Sequence, residues 1–134
     1  MAVEYSNPVE LGVPLGAYSH VASGRGRLVA IAGQVGAEAG GSVAEGDLAA
    51  QVAQTFENLR LGLAAEGLKP TDVLALTTYL IDADHIPKFY EARNQIFPKL
   101  YPEGSYPPNT LLVIDRLVQP QLLVEISALA VAPE

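Results

Sequence analysis

Glu125 has the setting that most strongly suggests chemistry. It lies within LLVEISALAV, from Leu122 to Val131, whose β-forming, apolar residues predict a strand. Alternation along that strand puts its side chain on one face with Leu123, Ser127 and Leu129. An ionised carboxylate among such neighbours is costly unless it is paired, so it either finds a partner or holds its proton more tightly. That suits a general base or acid. A structural ion pair or a strand-edge acid facing water fits the same position.

Tyr18 is the second candidate. In a short predicted strand its hydroxyl could orient a water or a polar substrate atom, although a core or interface tyrosine also has an apolar body and a wet tip. Ser19 and His20 are neighbours on that strand, point to opposite faces, and so cannot form a nucleophile–base pair. His20 and His85 are the only histidines and lack metal-ligand spacing. The G-x-G of Gly24-Arg25-Gly26-Arg27 precedes a strand instead of opening a helix, which reads as a turn and not a phosphate cradle. Asp82, Asp84 and Glu91 gather around a helix start, where capping and the helix dipole account for them.

The elements that must position these residues follow from spacing. Gly16 to Val21 reads as a short strand, followed by a Ser23–Gly26 turn and a strand from Arg27 to about Ala32, a hairpin pattern. Leu48, Val52, Phe56, Leu59 and Leu63 recur every three or four residues and predict a helix over 47–66, with Asp47 as N-cap and Gly67 just past its end. Asp72 to Ile81 predicts a strand covered on both faces, and about Asp84 to Phe97 a second helix with Pro87 in its first turn. Ile86, Phe89, Tyr90, Arg93 and Phe97 form that helix's stripe. A loop from Pro98 to Pro108 leads to strands Thr110–Arg116 and Leu122–Val131, parted by Gln119 and Pro120.

Strands alternating with two helices predict an α+β fold with a mixed sheet and both helices on one face. The other face lacks a cover, yet the last strand is apolar on both sides, which predicts burial against another copy of the chain.

Composition narrows the function classes. The 134 residues are 49% hydrophobic and 17% charged, enough for one folded domain, 1–134. A net charge of −7 disfavours nucleic acid and anionic lipid as partners. The absence of cysteine removes disulfides, thiolate catalysis and cysteine metal sites. No run approaches the ~20 apolar residues of a membrane span, and the N-terminus lacks signal-peptide character, so the expected location is the cytoplasm.

Five motifs then coincide. Gly16-Ala17-Tyr18-Ser19, Ala32-Gly33-Gln34, QVAQTFEN from Gln51 to Asn58, Pro107-Pro108-Asn109-Thr110, and Val124-Glu125-Ile126 to Ala130 stand in the order and spacing of the YjgF/Rid (RidA-like) reactive intermediate deaminases. The chain resembles that family over nearly its whole length. The resemblance implies a chorismate-mutase-like fold and a homotrimeric barrel with a cleft at each subunit boundary. It also implies hydrolysis of enamines or imines to a carbonyl compound and ammonia, with no metal and no cofactor. Residues matching Tyr18, Gly33 and Glu125 line the family's cleft, where the glutamate activates or positions water and an arginine holds the substrate carboxylate.

The arginine is where this chain departs. The family pattern P-A-R-S/T is here Pro107-Pro108-Asn109-Thr110, which puts a neutral amide in its place. A charge-assisted guanidinium–carboxylate bond is roughly twice as strong as a neutral one, and losing the pair would cost a bound 2-imino acid about 2–5 kcal/mol. Arg116 has the opposite strand parity from Asn109 and should point away, leaving Arg93 on the second helix as the better-placed substitute. Tyr90 stands where the family has a polar helix residue, and backbone N–H groups near Gly33 and Leu111 are candidate donors. Two functions follow as expectations. One is a cofactor-free hydrolase of an imine, enamine or related C–N bond in a small metabolite, its substrate lacking a carboxylate. The other is a non-catalytic, metabolite-binding or regulatory trimer using the same cleft. A ribonuclease, also described in the family, fits poorly with the negative charge and the absence of a histidine acid–base pair.

Overall fold

The computed structural model describes residues 3–133. Its strands are β1 (Val3–Ser6), β2 (Val21–Gly24), β3 (Arg27–Val35), β4 (Val73–Leu80), β5 (Asn109–Val113) and β6 (Val124–Ala132). Helix α1 (Leu48–Ala65) lies between β3 and β4, and α2 (Ile86–Leu100) between β4 and β5. Strands β3-β6-β4-β5 form one mixed sheet, in which β6 runs antiparallel to β3 and β4 while β4 and β5 are parallel. Each helix is therefore a crossover between strands running the same way, as helices over one sheet face require.

The apolar stripe of α1 is buried along its length, from Leu48 through Val52, Phe56 and Leu59 to Leu63. Asp47 caps it by accepting the Ala50 N–H, and Gly67 takes the positive φ of 73° that follows the helix end. The stripe meets Phe89, Ala92 and Phe97 of α2 and the inward-facing Val124, Ile126, Ala128 and Ala130 of β6 in one core.

QVAQTFEN proves to be a structural clamp. Gln51 is fully buried; its Nε2 donates to the Ala44 and Gln121 carbonyls, and its Oε1 accepts the Leu123 N–H. Asn58 Nδ2 donates to the Val35 and Ala37 carbonyls, and its Oδ1 accepts from Gln54. Two side chains of one helix thus anchor the start of the loop after β3, the approach to α1 and the approach to β6.

Four expected elements shift. Residues 16–20 contain bends and no strand, because other bonds compete with a ladder: Tyr18 N–H donates to the Gly16 carbonyl, and His20 N–H to Asn7 Oδ1. Strand β2 pairs with β1, a strand absent from the sequence reading, so β2 and β3 belong to different sheets and make no hairpin. Helix α2 begins after a separate 3₁₀ turn and continues through Pro98 to Leu100. Proline there removes a single helical hydrogen bond near the end, while Phe97 packs its ring against Tyr101 and Tyr106. Strand β5 also ends at Val113, short of Arg116, which instead donates to the Leu117 and Val118 carbonyls.

The sheet face away from the helices is partly bare. Leu28 is 63% exposed, Leu112 43% and Leu129 41%. Val9, Leu11, Val13 and Leu15 add a row of exposed apolar side chains in the lead-in to Tyr18.

Candidate functional site

The candidate residues fall into two groups on opposite faces of the sheet. Asn109 and Leu111 face the helix layer from edge strand β5 and, with Tyr18, Tyr90 and Arg93, line an open cavity of about 640 Å³. Gly16, Ala17, Asn94 and Tyr106 also line it, residues that sequence reading did not single out as site residues. Glu125 alternates with the inward residues of β6 and stands on the other face with Gly33. Neither of these two lines that cavity.

Within the cavity each polar group has a defined role. Thr78, buried on β4, donates its hydroxyl proton to Asn109 Oδ1 at 2.8 Å, which occupies the amide oxygen and leaves the two N–H donors without a partner among the described residues. The Tyr18 hydroxyl accepts the Leu15 N–H at 3.3 Å, leaving its own proton for a partner in the cavity. Ser19 and His20 share no hydrogen bond; the His20 ring pairs with the Gly12 carbonyl.

Arg93 is the unusual member. Its side chain is only 5% exposed, yet among the described residues it has neither a hydrogen-bond nor an ion-pair partner, and its Nε is buried and unsatisfied. Aromatic rings surround the guanidinium: its Cζ lies 4.6 Å from the Tyr90 ring centre, 5.4 Å from Phe97 and 5.9 Å from Phe89. Burial pulls its pKa below the ordinary arginine range, opposed by Tyr90 and Tyr106.

Glu125 is half-buried and has no ion-pair or hydrogen-bond partner among the described residues. Its carboxylate lies over Gly33, beside the irregularity between Ile31 and Gln34 where β3 slips against β6. A Cβ on residue 33 would come within 2.6 Å of Glu125 Cδ and closer still to Oε2. Gly33→Ala should therefore push the carboxylate aside while leaving the fold intact, because the obstacle is the end of a flexible side chain. If the carboxylate acts in catalysis, turnover should fall at least tenfold with a melting temperature within a few degrees of wild type; unchanged turnover would show that the carboxylate needs no fixed position.

Residues 10–132 match the family model described as Endoribonuclease L-PSP. The chain is also similar to a RutC family protein of Pyrococcus horikoshii, 31% identical over 118 residues that cover 87% of this chain and 88% of that one. The chain belongs to the YjgF/Rid family. Among solved structures it resembles the Rid-family protein YyfB of Yersinia pestis, with 32% identity, a TM-score of 0.87 and coverage of 98% and 100% of the two chains. E. coli TdcF, solved with bound serine, shares the Rid fold at 24% identity, a TM-score of 0.72 and coverage of 89% and 91%. The α+β Rid architecture expected from the motifs is thereby established. Among the described residues no helix is long and apolar enough to cross a membrane, and no cluster of ligating side chains could hold a metal ion.

Proposed function

We propose that this Rid-family chain is a cofactor-free hydrolase that adds water across the C=N bond of a small imine, or of the imine formed from an enamine. The products are a carbonyl compound and ammonia. The observation that carries the reading is the unpaired Glu125 carboxylate held over Gly33 on a partly bare apolar sheet face. Such a group can take a proton from water as it attacks the imine carbon and pass it to nitrogen, then take the proton of the new hydroxyl and pass it to nitrogen as the C–N bond breaks, which leaves the carbonyl compound and ammonia. Tyr18 orients the substrate with its free hydroxyl proton, and Asn109, Leu111, Tyr90 and Arg93 shape the binding wall.

One chain separates these two groups by the thickness of the sheet. In the proposed cytoplasmic homotrimer, the bare face of one copy lies against its neighbour, and the Glu125 of one subunit completes the Tyr18–Asn109 cavity of the next. The exposed Leu28, Leu112 and Leu129 support that packing. Light scattering should give three times the 14.1 kDa chain mass, and Leu129→Glu should shift the species toward monomer; a wild-type monomer at micromolar concentration opposes the reading.

The direct test is ammonia release from freshly generated small imines. Turnover supports the hydrolase. If none turns over while a small metabolite binds and is recovered unchanged, the cleft serves binding or regulation, a reading favoured by Asn109 standing where family deaminases carry arginine. The family model's name raises RNA cleavage, but a net charge of −7 weakens attraction to a phosphate backbone.

A further inference from the structure

We infer that Arg93 supplies, from helix α2, the cationic anchor that strand β5 lacks, so that the ligand of this cleft carries a carboxylate. The inference rests on the cleft being the substrate site, and it revises the expectation that Asn109 selects for a neutral substrate.

Three observations converge. A guanidinium that is 95% buried has no acceptor among the described residues, and no carboxylate of its own chain lines its cavity; the one carboxylate that the proposed trimer brings there is the general base Glu125. A core arginine serving stability alone is normally paired, since breaking such a pair leaves an uncompensated charge. The rings of Phe89, Tyr90 and Phe97 lie 4.6–5.9 Å from the guanidinium carbon, and none of them accepts a hydrogen bond from it. That leaves the in-plane N–H groups for a ligand. Nε is buried, so the anion must meet the two terminal nitrogens, one of which lies 3.7 Å from where a Gly16 side chain would begin. Finally, Thr78 occupies the oxygen of the Asn109 amide, and Asn109 lines the same cavity with its N–H donors free of any partner among the described residues. A planar carboxylate is the group that matches a guanidinium fork with neighbouring neutral donors.

The arrangement also accounts for Asn109. A second arginine at that position would put two cations in one small cavity, whereas the amide adds donors without charge.

The test is calorimetric titration of the full-length protein with pyruvate and with its neutral methyl ester. Wild type should bind pyruvate at least tenfold more tightly than the ester, and Arg93→Gln should erase that preference. Asn109→Asp places a carboxylate in the cavity without touching Arg93 or the core, and should weaken pyruvate binding at least tenfold. Equal or undetectable binding of both probes to wild type overturns the inference, as does a preference that survives Arg93→Gln. If Arg93→Gln does not fold, Asn109→Asp decides, and unchanged pyruvate affinity in that variant overturns it. Ammonia release from imines separates the two claims. A pyruvate preference without turnover leaves the anion site standing and removes the hydrolase, whereas turnover without any preference does the reverse.

Discussion

Replacing Glu125 with glutamine is expected to lower kcat/KM for imine hydrolysis by roughly 10²–10⁴-fold, the contribution of a positioned general base. The amide is isosteric and half-exposed, so the fold, the oligomeric state and the melting temperature should stay close to wild type. Glutamine can still orient water by hydrogen bonding but cannot take its proton, which makes kcat the parameter that falls. Ammonia release under saturating substrate, compared between the two proteins, is the measurement. Turnover within threefold of wild type would remove Glu125 from the proton-transfer role and leave Tyr18 or solvent to supply it. The Gly33→Ala loss then serves as an independent readout, since it disturbs the same carboxylate without changing its chemistry.

The largest expected effect on stability lies far from this chemistry, at Gln51. Gln51→Leu preserves the size and helix propensity of the side chain but strips partners from the Ala44 carbonyl, the Gln121 carbonyl and the Leu123 N–H. Ala44 is exposed, so water can replace its partner; the other two groups, left without one, cost about 1–3 kcal/mol each, roughly 2–6 kcal/mol in total. Out of the 5–15 kcal/mol typical of a folded domain, that is enough to lower the midpoint of urea unfolding substantially. Gln54→Leu, one helical turn away, removes only a side-chain bond to Asn58 and should cost within about 1 kcal/mol. A small effect at Gln51 would mean that water replaces the side chain and that the loops it joins are held by other contacts.

The contrast between these positions separates two meanings of a family motif. Gln51 and Asn58 belong to the matching motifs as Glu125 does, yet they hold backbone carbonyls and do not line the Tyr18–Asn109 cavity. Motif residues alone could not make that distinction, because a buried amide serving as a clamp and an amide serving as a ligand donor have the same residue type. Burial and partner identity separate them.

Much of the architecture was legible in the sequence because it depends on local periodicity. The spacing of Leu48, Val52, Phe56, Leu59 and Leu63 specifies a helix whatever surrounds it, and Asp47 and Gly67 mark its ends by backbone geometry alone. Alternation in Leu122 to Val131 likewise put Glu125 on one strand face with Leu123, Ser127 and Leu129, while the structure decided that this face is the one away from the helices. The misplaced elements are those whose form depends on distant partners. Residues 16–20 have strand composition but are bent by bonds within the segment and to Asn7. Strand β1 exists because β2 lies beside it, and Pro98 stays helical beside the packed rings of Phe97, Tyr101 and Tyr106.

The same division runs through the site. Residue identity by itself determined that position 109 offers a neutral amide, that position 125 carries an acid on a sheet face, and that no thiol is present. Only the tertiary structure decided that Arg93 enters the Asn109 cavity without a partner, and that Glu125 and Gly33 lie across the sheet from it. The reason is physical: a side chain's type and strand parity are local properties, whereas its distance from groups on other elements depends on how those elements pack.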